Sequence, residues 1–327
     1  MKPNVKVSIL CTTYNQEAYI AEALDSFLNQ KTSFNYEILV NDDASTDSTP
    51  LILKKYETAH PDKIRVFYQE KNLFSQGINI DKAVLFPESK GDYIALCEGD
   101  DFWTSDHKLQ KQFDYMVEHP EIKFCVHASV NVSENGKKEI STNRPYAKDQ
   151  IVPKSDLLSK VHCFATNSYF IKKETCYSYF ESEIFPLKAH GDHKMSVYFS
   201  LVSPVYYFEE PMSAYRVLAK GSINESILLS KNREQVENNL MNNRIELLET
   251  ANRFSNYQYD QLFREGKKEV EYFFYRQFPS HYYKIAKRYK AEFKQESLRF
   301  RLSSFAQYYL PNCYNALTKL YLLIKRN

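Results

Sequence analysis

The chain has 327 residues, 43% hydrophobic and 26% charged, with a formal net charge of only +2. That length buries a full α/β core with room for an appendage. Its 7 glycines form neither a GxGxxG nor a Walker pattern, which argues against a dehydrogenase or a P-loop enzyme.

Short apolar or β-branched runs at Val5–Cys11, Tyr36–Asn41, Ile64–Tyr68, Tyr93–Cys97 and Phe124–Ala128 predict strands. Between the first two, Ile20, Ala23, Leu24, Phe27 and Leu28 fall on one helical face. Further helices are expected near Pro50–Ala59, Asn79–Phe86 and Lys108–Glu118. Strands alternating with helices imply crossover units and a mainly parallel central sheet flanked by helices. Ser133–Lys154 is polar, with an Asn135-Gly136 turn, and reads as a hairpin or loop. From about Ser230 the pattern is helical, which divides the chain into residues 1–225 and a helical region 226–327. Of the 6 cysteines, Cys11, Cys97 and Cys125 lie in apolar runs and are expected as buried thiols, with no zinc or disulfide.

The run from Tyr93 to Cys97 ends in Glu98-Gly99-Asp100-Asp101, three carboxylates within four positions. Charges that close repel one another unless a cation neutralises them. Hard oxygen ligands suit Mg²⁺ or Mn²⁺, held by one or two carboxylates plus substrate phosphates. An acidic turn before the Lys108 helix is the alternative. Ligands of parallel sheets sit outside the carboxyl ends of the strands. That rule puts Thr12, Thr13, Asp42, Asp43, Asp100 and Asp101 around one crevice.

Four patterns follow in chain order: Thr12-Thr13-Tyr14-Asn15, the Asn41–Asp47 segment, Glu98–Asp101 with Phe102-Trp103, and Gly191-Asp192. Over residues 5–220 this set resembles the family-two inverting glycosyltransferases of the GT-A fold. Trp103 and the Lys108–Gln112 continuation are similar to bacterial members that build surface polysaccharides such as capsule or O-antigen. The resemblance implies that Thr12, Tyr14 and Asp42 hold the nucleotide, with Thr13 and Asn15 in the same loop, Asp42 on the base and Tyr14 against its ring. It makes Asp100 a ligand of Mn²⁺ or Mg²⁺ beside the nucleotide, and sets Asp101, Trp103 and Glu98 toward the donor sugar, with a core-facing anchor as the rival reading of Trp103. Asp192 takes the place of the catalytic base. Arg216 is a candidate for the diphosphate, with a surface salt bridge as its rival reading.

Three positions depart from the pattern. Glu98 stands where aspartate is usual and Leu218 where histidine is frequent. Ala44 stands where glycine is common, and a positive φ there would cost about 1 kcal/mol. A QxxRW motif is absent, which favours transfer of a single sugar. The implied partners are a nucleotide-diphosphate sugar, most simply a UDP-sugar, and a glycan or lipid-linked acceptor. Nucleotidyl transfer and a non-catalytic sugar-nucleotide-binding scaffold are the alternative classes, the former disfavoured by the missing glycine-rich phosphate loop.

Charge is unevenly spread: residues 272–327 hold 11 Lys and Arg against 2 Asp and Glu, interleaved with Tyr and Phe. This composition suits an interfacial helix on an anionic membrane better than nucleic acid. No run approaches the roughly 18–20 apolar residues that span a bilayer. Val7–Leu10 is too short for a signal-peptide core. A cytoplasmic chain, peripheral on the inner face of the plasma membrane, is the expectation.

Overall fold

A computed structural model describes residues 4–160 and 164–314. The last part of the basic, aromatic segment expected as interfacial, from residue 315 onward, lies outside the described residues. Ten strands form one sheet: β1 Val5–Thr13, β2 Asn35–Asp42, β3 Ile64–Tyr68, β4 Tyr93–Leu96, β5 Phe102–Trp103, β6 Phe124–Val132, β7 Glu139–Asn143, β8 Gln150–Ile151, β9 Phe170–Lys172 and β10 Val205–Arg216. Their order is β3-β2-β1-β4-β9-β6-β10-β5, with β7 on β6 and β8 on β10.

The β3-β2-β1-β4 half is parallel, as the alternating pattern requires. The other half is mixed, because β9 runs antiparallel to both β4 and β6 while β10 runs parallel to β6. Neither β9 nor β10 is legible as a strand in the sequence. β9 has only three residues, and β10 is interrupted at Glu209-Glu210-Pro211, where its register shifts twice.

Side chains of the parallel strands alternate between two cores. Val7, Ile9 and Cys11 of β1, with Tyr93 and Ala95 of β4, face one side. There they meet Ile20, Ala23, Leu24 and Phe27 of α1 (Ile20–Leu28), Leu53 of α2 (Thr49–Ala59), and Leu109 and Met116 of α4 (Lys108–Glu118). Leu10, Leu39, Ile94 and Leu96 face the other side. The segment expected as a helix at Asn79–Phe86 is a π-helical turn, Asp81–Leu85, running into the three-residue α3, Phe86–Glu88.

On the second face lie α5 (Lys154–Ser159), α6 (Lys173–Glu181) and α7 (Gly191–Val202). Two C-terminal helices, α9 (Arg233–Phe254) and α10 (Asp260–Gln277), follow the short α8 (Ile223–Leu229). Leu247, Leu248 and Ala251 of α9 and Phe263, Val270 and Phe274 of α10 join the core that holds Phe124, Tyr169 and Phe199. Gly266 of α10 sits against the Leu158 carbonyl, an approach a Cβ would block. The helices α11 (Pro279–Ile285), α12 (Lys290–Gln295) and α13 (Leu298–Tyr309) stack outward from α10. Cys11, Cys97 and Cys125 are free and buried.

Candidate active site

Parallel pairing fixes the site. Thr13 is level with Asp42 across β1 and β2, and Leu10 is level with Leu96 across β1 and β4. The ladder continues past the strand ends: Asp43 N donates to the Thr13 carbonyl at 3.0 Å and Gly99 N to the Thr12 carbonyl at 3.0 Å. Three loops therefore leave the sheet side by side at its carboxyl edge. Gly99 sits in a tight place: a Cβ there would displace the ends of the Gln16 and Ile20 side chains, 2.5 and 2.9 Å away, and stand 3.0 Å from Thr13 Cβ.

The first two loops are laced together. Asn15, at φ 52°, donates its N–H to Ser45 Oγ at 2.9 Å and accepts from Thr46 N at 2.8 Å. Gln16 N donates to Thr49 Oγ1 at 2.9 Å. This leaves Tyr14 46% exposed above the edge. Asp42 is buried and accepts from Ser45 N at 3.1 Å; burial chiefly raises its carboxyl above the ordinary carboxylate range. Asp43 accepts from Leu73 N at 2.7 Å and Phe74 N at 3.1 Å, so it pins the loop after β3. Ala44, which follows Asp43, does adopt a positive φ, 63°. Thr12 is half-buried, while Thr13 is buried with a hydroxyl that has no partner.

The acidic loop carries charge that the protein leaves largely uncompensated. Glu98 is open to solvent yet hemmed in by protein; burial and the neighbouring Asp100, Asp192 and Asp81 push its carboxyl up to about 8. Asp100 is half-buried, and burial raises its carboxyl too, against lowering by Arg216 and a hydrogen bond from Gln16. Asp81, on the π-helical turn, is pushed by burial up to about 6. Nothing in the sequence singles out Asp81 beyond its being an acid in an otherwise apolar stretch.

Two residues assigned toward the donor sugar are placed differently. Trp103 is buried: its ring packs 4.7 Å from Phe27, Lys108 Nζ sits 4.2 Å from its centroid, and its indole donates to the Asn167 carbonyl at 3.1 Å. It anchors the core and has no face left for a sugar. Asp101 is also buried, accepting from Asn167 Nδ2 at 2.9 Å and from Arg216 N at 2.9 Å. Its carboxylate fastens the acidic loop to β10 and to the turn before β9. Asn167 lies in the short turn Thr166–Ser168, just before a strand that no local pattern marks.

Arg216 likewise does not project toward a ligand. Its guanidinium lies between the rings of Tyr19 and Phe102, at 5.0 and 4.8 Å, and donates to the Asp100 carbonyl and to Glu22. It is neither a surface salt bridge nor an open anion clamp; it holds the acidic loop from behind.

Asp192 stands in the first turn of α7, where the helix dipole favours a carboxylate. Its Oδ1 accepts from His193 N at 2.7 Å, and its carbonyl accepts from Tyr169 Oη at 3.2 Å. Tyr169 in turn accepts through its carbonyl from Leu96 N at 3.2 Å, so α7 is tied to the end of β4. Asp192 is near enough for its charge to act on Glu98 and on the buried Arg244 of α9, whose pKa burial chiefly lowers. A cavity of about 420 Å³ lined by Val152, Leu157 and Ser200–Val205 lies at the opposite edge of the sheet, and none of the predicted site residues lines it.

Residues 8–174 match the family model described as glycosyl transferase family 2. The chain belongs to that family. Two relatives of this family-2 chain, uncharacterized proteins of Mycobacterium tuberculosis and Mycobacterium bovis, are 32% identical over 220 residues, covering 66% of this chain and 60% of theirs. The match thus spans well under two thirds of those relatives. TuaG of Bacillus subtilis, named for teichuronic acid biosynthesis, is 35% identical over 112 residues, 34% of this chain and 42% of TuaG.

Among solved structures, S. aureus TarS with UDP-GlcNAc superposes with a TM-score of 0.54 at 18% identity, covering 78% of this chain and 73% of that one. The mannosyltransferase PcManGT of Pyrobaculum calidifontis, with GDP-Man and Mn²⁺, gives 0.55 at 16% identity, covering 98% and 84%. At such identities the likeness is one of fold, and that fold is the GT-A type.

Proposed function

We propose that this family-2 chain transfers one sugar, with inversion, from a nucleotide-diphosphate donor to a lipid-linked or surface-glycan acceptor. The observation that carries this is the common edge: Thr12–Asn15, Asp42 and Glu98–Asp101 leave adjacent parallel strands, and Asp192 is held beside them by Tyr169.

Tyr14, exposed on the first loop, covers the nucleobase, and Asp42 accepts a base N–H. A matched buried hydrogen bond of this kind discriminates strongly between bases. Among the described residues no three His, Cys, Asp or Glu side chains gather into a ready-made metal cluster. Asp100 and Glu98 nonetheless suit Mn²⁺ or Mg²⁺: they are hard oxygen donors in surplus negative charge, and such ions take few protein ligands and complete their shell from phosphates. The ion, when bound, supplies positive charge against the departing diphosphate.

Asp192 removes the proton from the acceptor hydroxyl while that oxygen bonds to the anomeric carbon and the bond to the diphosphate breaks on the opposite face. Arg216 positions Asp100 through its carbonyl, and Asp101 secures the same loop to β10.

The C-terminal charge and the teichuronic acid biosynthesis in the name of TuaG support this acceptor class. Among the described residues no helix is long and apolar enough to cross a membrane, so attachment at the inner leaflet would be peripheral. A thermal-shift screen of UDP- and GDP-sugars with Mn²⁺ identifies the donor, because a ligand of the native state raises its stability by mass action. Transfer is then assayed with Asp192→Asn. Near-normal turnover by that variant would refute the assignment of the base.

A further inference from the structure

The C-terminal helices carry a surface that the catalytic reading leaves unused. In α13, Leu298, Leu302, Phe305 and Tyr309 are 64%, 59%, 42% and 54% exposed. Their spacing of four, three and four residues puts them within an arc of about 60° at 100° per residue, one continuous apolar stripe. The opposite face packs inward, with Ser304 buried and Phe300 5.4 Å from the ring of Tyr282 in α11, while the Phe305 and Tyr309 rings rest one edge on Tyr283 at 5.3 and 5.2 Å and keep the rest exposed. Arg299 and Arg301 fall on either side of the stripe.

The surrounding charge is one-sided. The two acids between residue 272 and the end of the described chain are matched, Glu292 to Lys268 and Glu296 to Arg276, and Glu271 of α10 pairs with Arg288. Lys287, Lys290, Lys294 and Arg299 are exposed and form no ion pair among the described residues. An apolar helical stripe with Arg299 beside it, in a C-terminal region that also exposes Lys287, Lys290 and Lys294, complements a surface that is apolar within and anionic at its face. Nucleic acid satisfies the charge alone and gives the leucines nothing to contact.

We infer that α13 lies in the plane of an anionic bilayer, with Leu298, Leu302, Phe305 and Tyr309 in the acyl boundary and Lys287, Lys290, Lys294 and Arg299 on lipid phosphates. This deepens the membrane-side reading of the acceptor and rests on it. The helix would hold the enzyme on the leaflet that presents a lipid-linked substrate.

The test is sedimentation of the full chain with vesicles of phosphatidylcholine, with and without one third phosphatidylglycerol. The wild type binds the anionic vesicles at least tenfold more tightly than the neutral ones. L298S/L302S/F305S and, separately, K290E/K294E/R299E each lose at least tenfold of that binding, with unchanged circular dichroism. Donor hydrolysis in solution, read on the same variants, stays at the wild-type level, which separates this surface from the catalytic site. Vesicle binding without any sugar transfer would uphold the surface and count against the enzymatic reading. Four results overturn the inference: equal binding to neutral vesicles, no binding, a lipid-free dimer that the triple apolar variant abolishes, or tighter binding to a single-stranded oligonucleotide than to anionic lipid.

Discussion

Charge is handled in opposite ways at the carboxyl edge of the sheet and in the C-terminal helices. Around α10 to α12 three acids meet cations directly: Arg276 Nε lies 2.7 Å from Glu296, Arg288 lies 3.2 Å from Glu271, and Lys268 pairs with Glu292. At the edge, Glu98, Asp100 and Asp101 have the Arg216 guanidinium near them, which is spent on Glu22 and the Asp100 carbonyl, while Asp192 acts on the buried Arg244. Paired charge there is packing. Unmatched charge held in place by backbone is what supports the ligand-binding role proposed for this edge, because a fold gains nothing by assembling repelling carboxylates.

The comparison breaks first at Asp100. Asp100→Asn should lower sugar transfer by about 10²–10³-fold while leaving the melting temperature level or higher, since it removes one of the repelling groups. Steady-state transfer and thermal denaturation on one preparation decide this. A fall in stability with retained transfer would make Asp100 a structural acid.

Asp101→Ala should do the reverse. It strands Asn167 and the Arg216 N–H in the interior, at a cost of about 2–4 kcal/mol in denaturant unfolding. Activity loss with native stability would return Asp101 to the substrate side.

Lys108 sharpens the contrast with a buried cation that has no acid. Burial pushes its ammonium down to about 7, and its Nζ donates to Gln112 Oε1 at 2.7 Å. Between about 7 and the unfolded value of 10.5 the unfolded chain binds a proton that the native chain does not, so stability rises with pH in that window and is lost as pH falls toward 7. The stability of the wild type relative to Lys108→Met should climb by about 1.4 kcal/mol per pH unit across it. A flat difference from pH 7 to 10 would mean Lys108 keeps its charge inside.

The smallest effects are expected at an exposed ion pair and at one strained residue. Lys268→Gln, in the helices, should cost under about 1 kcal/mol and vanish in high salt. Ala44→Gly, at the edge, should gain up to about 1 kcal/mol by relieving φ 63°. Urea titrations of both are sufficient.

The sequence by itself determined the parallel half of the sheet, the amphipathic α1 and the acids that leave the strand ends. Those depend on period-two and helical patterns within one segment, and on the rule that parallel strands share a carboxyl edge. It also marked Ala44, since a position that needs a positive φ is recognisable from the turn around it.

Only the tertiary structure decided which acids face the cleft and which are fastened inside. Asp100 and Asp101 are adjacent in the chain and alike in chemistry, yet one is half-open and the other is held by Asn167 and Arg216 from segments 66 and 115 residues away. Trp103 belongs to the core for the same reason: Phe27, Lys108 and Asn167 enclose it from three separate elements. Local patterns tell where a strand ends; what a side chain touches there is set by partners distant in sequence, which no local pattern encodes.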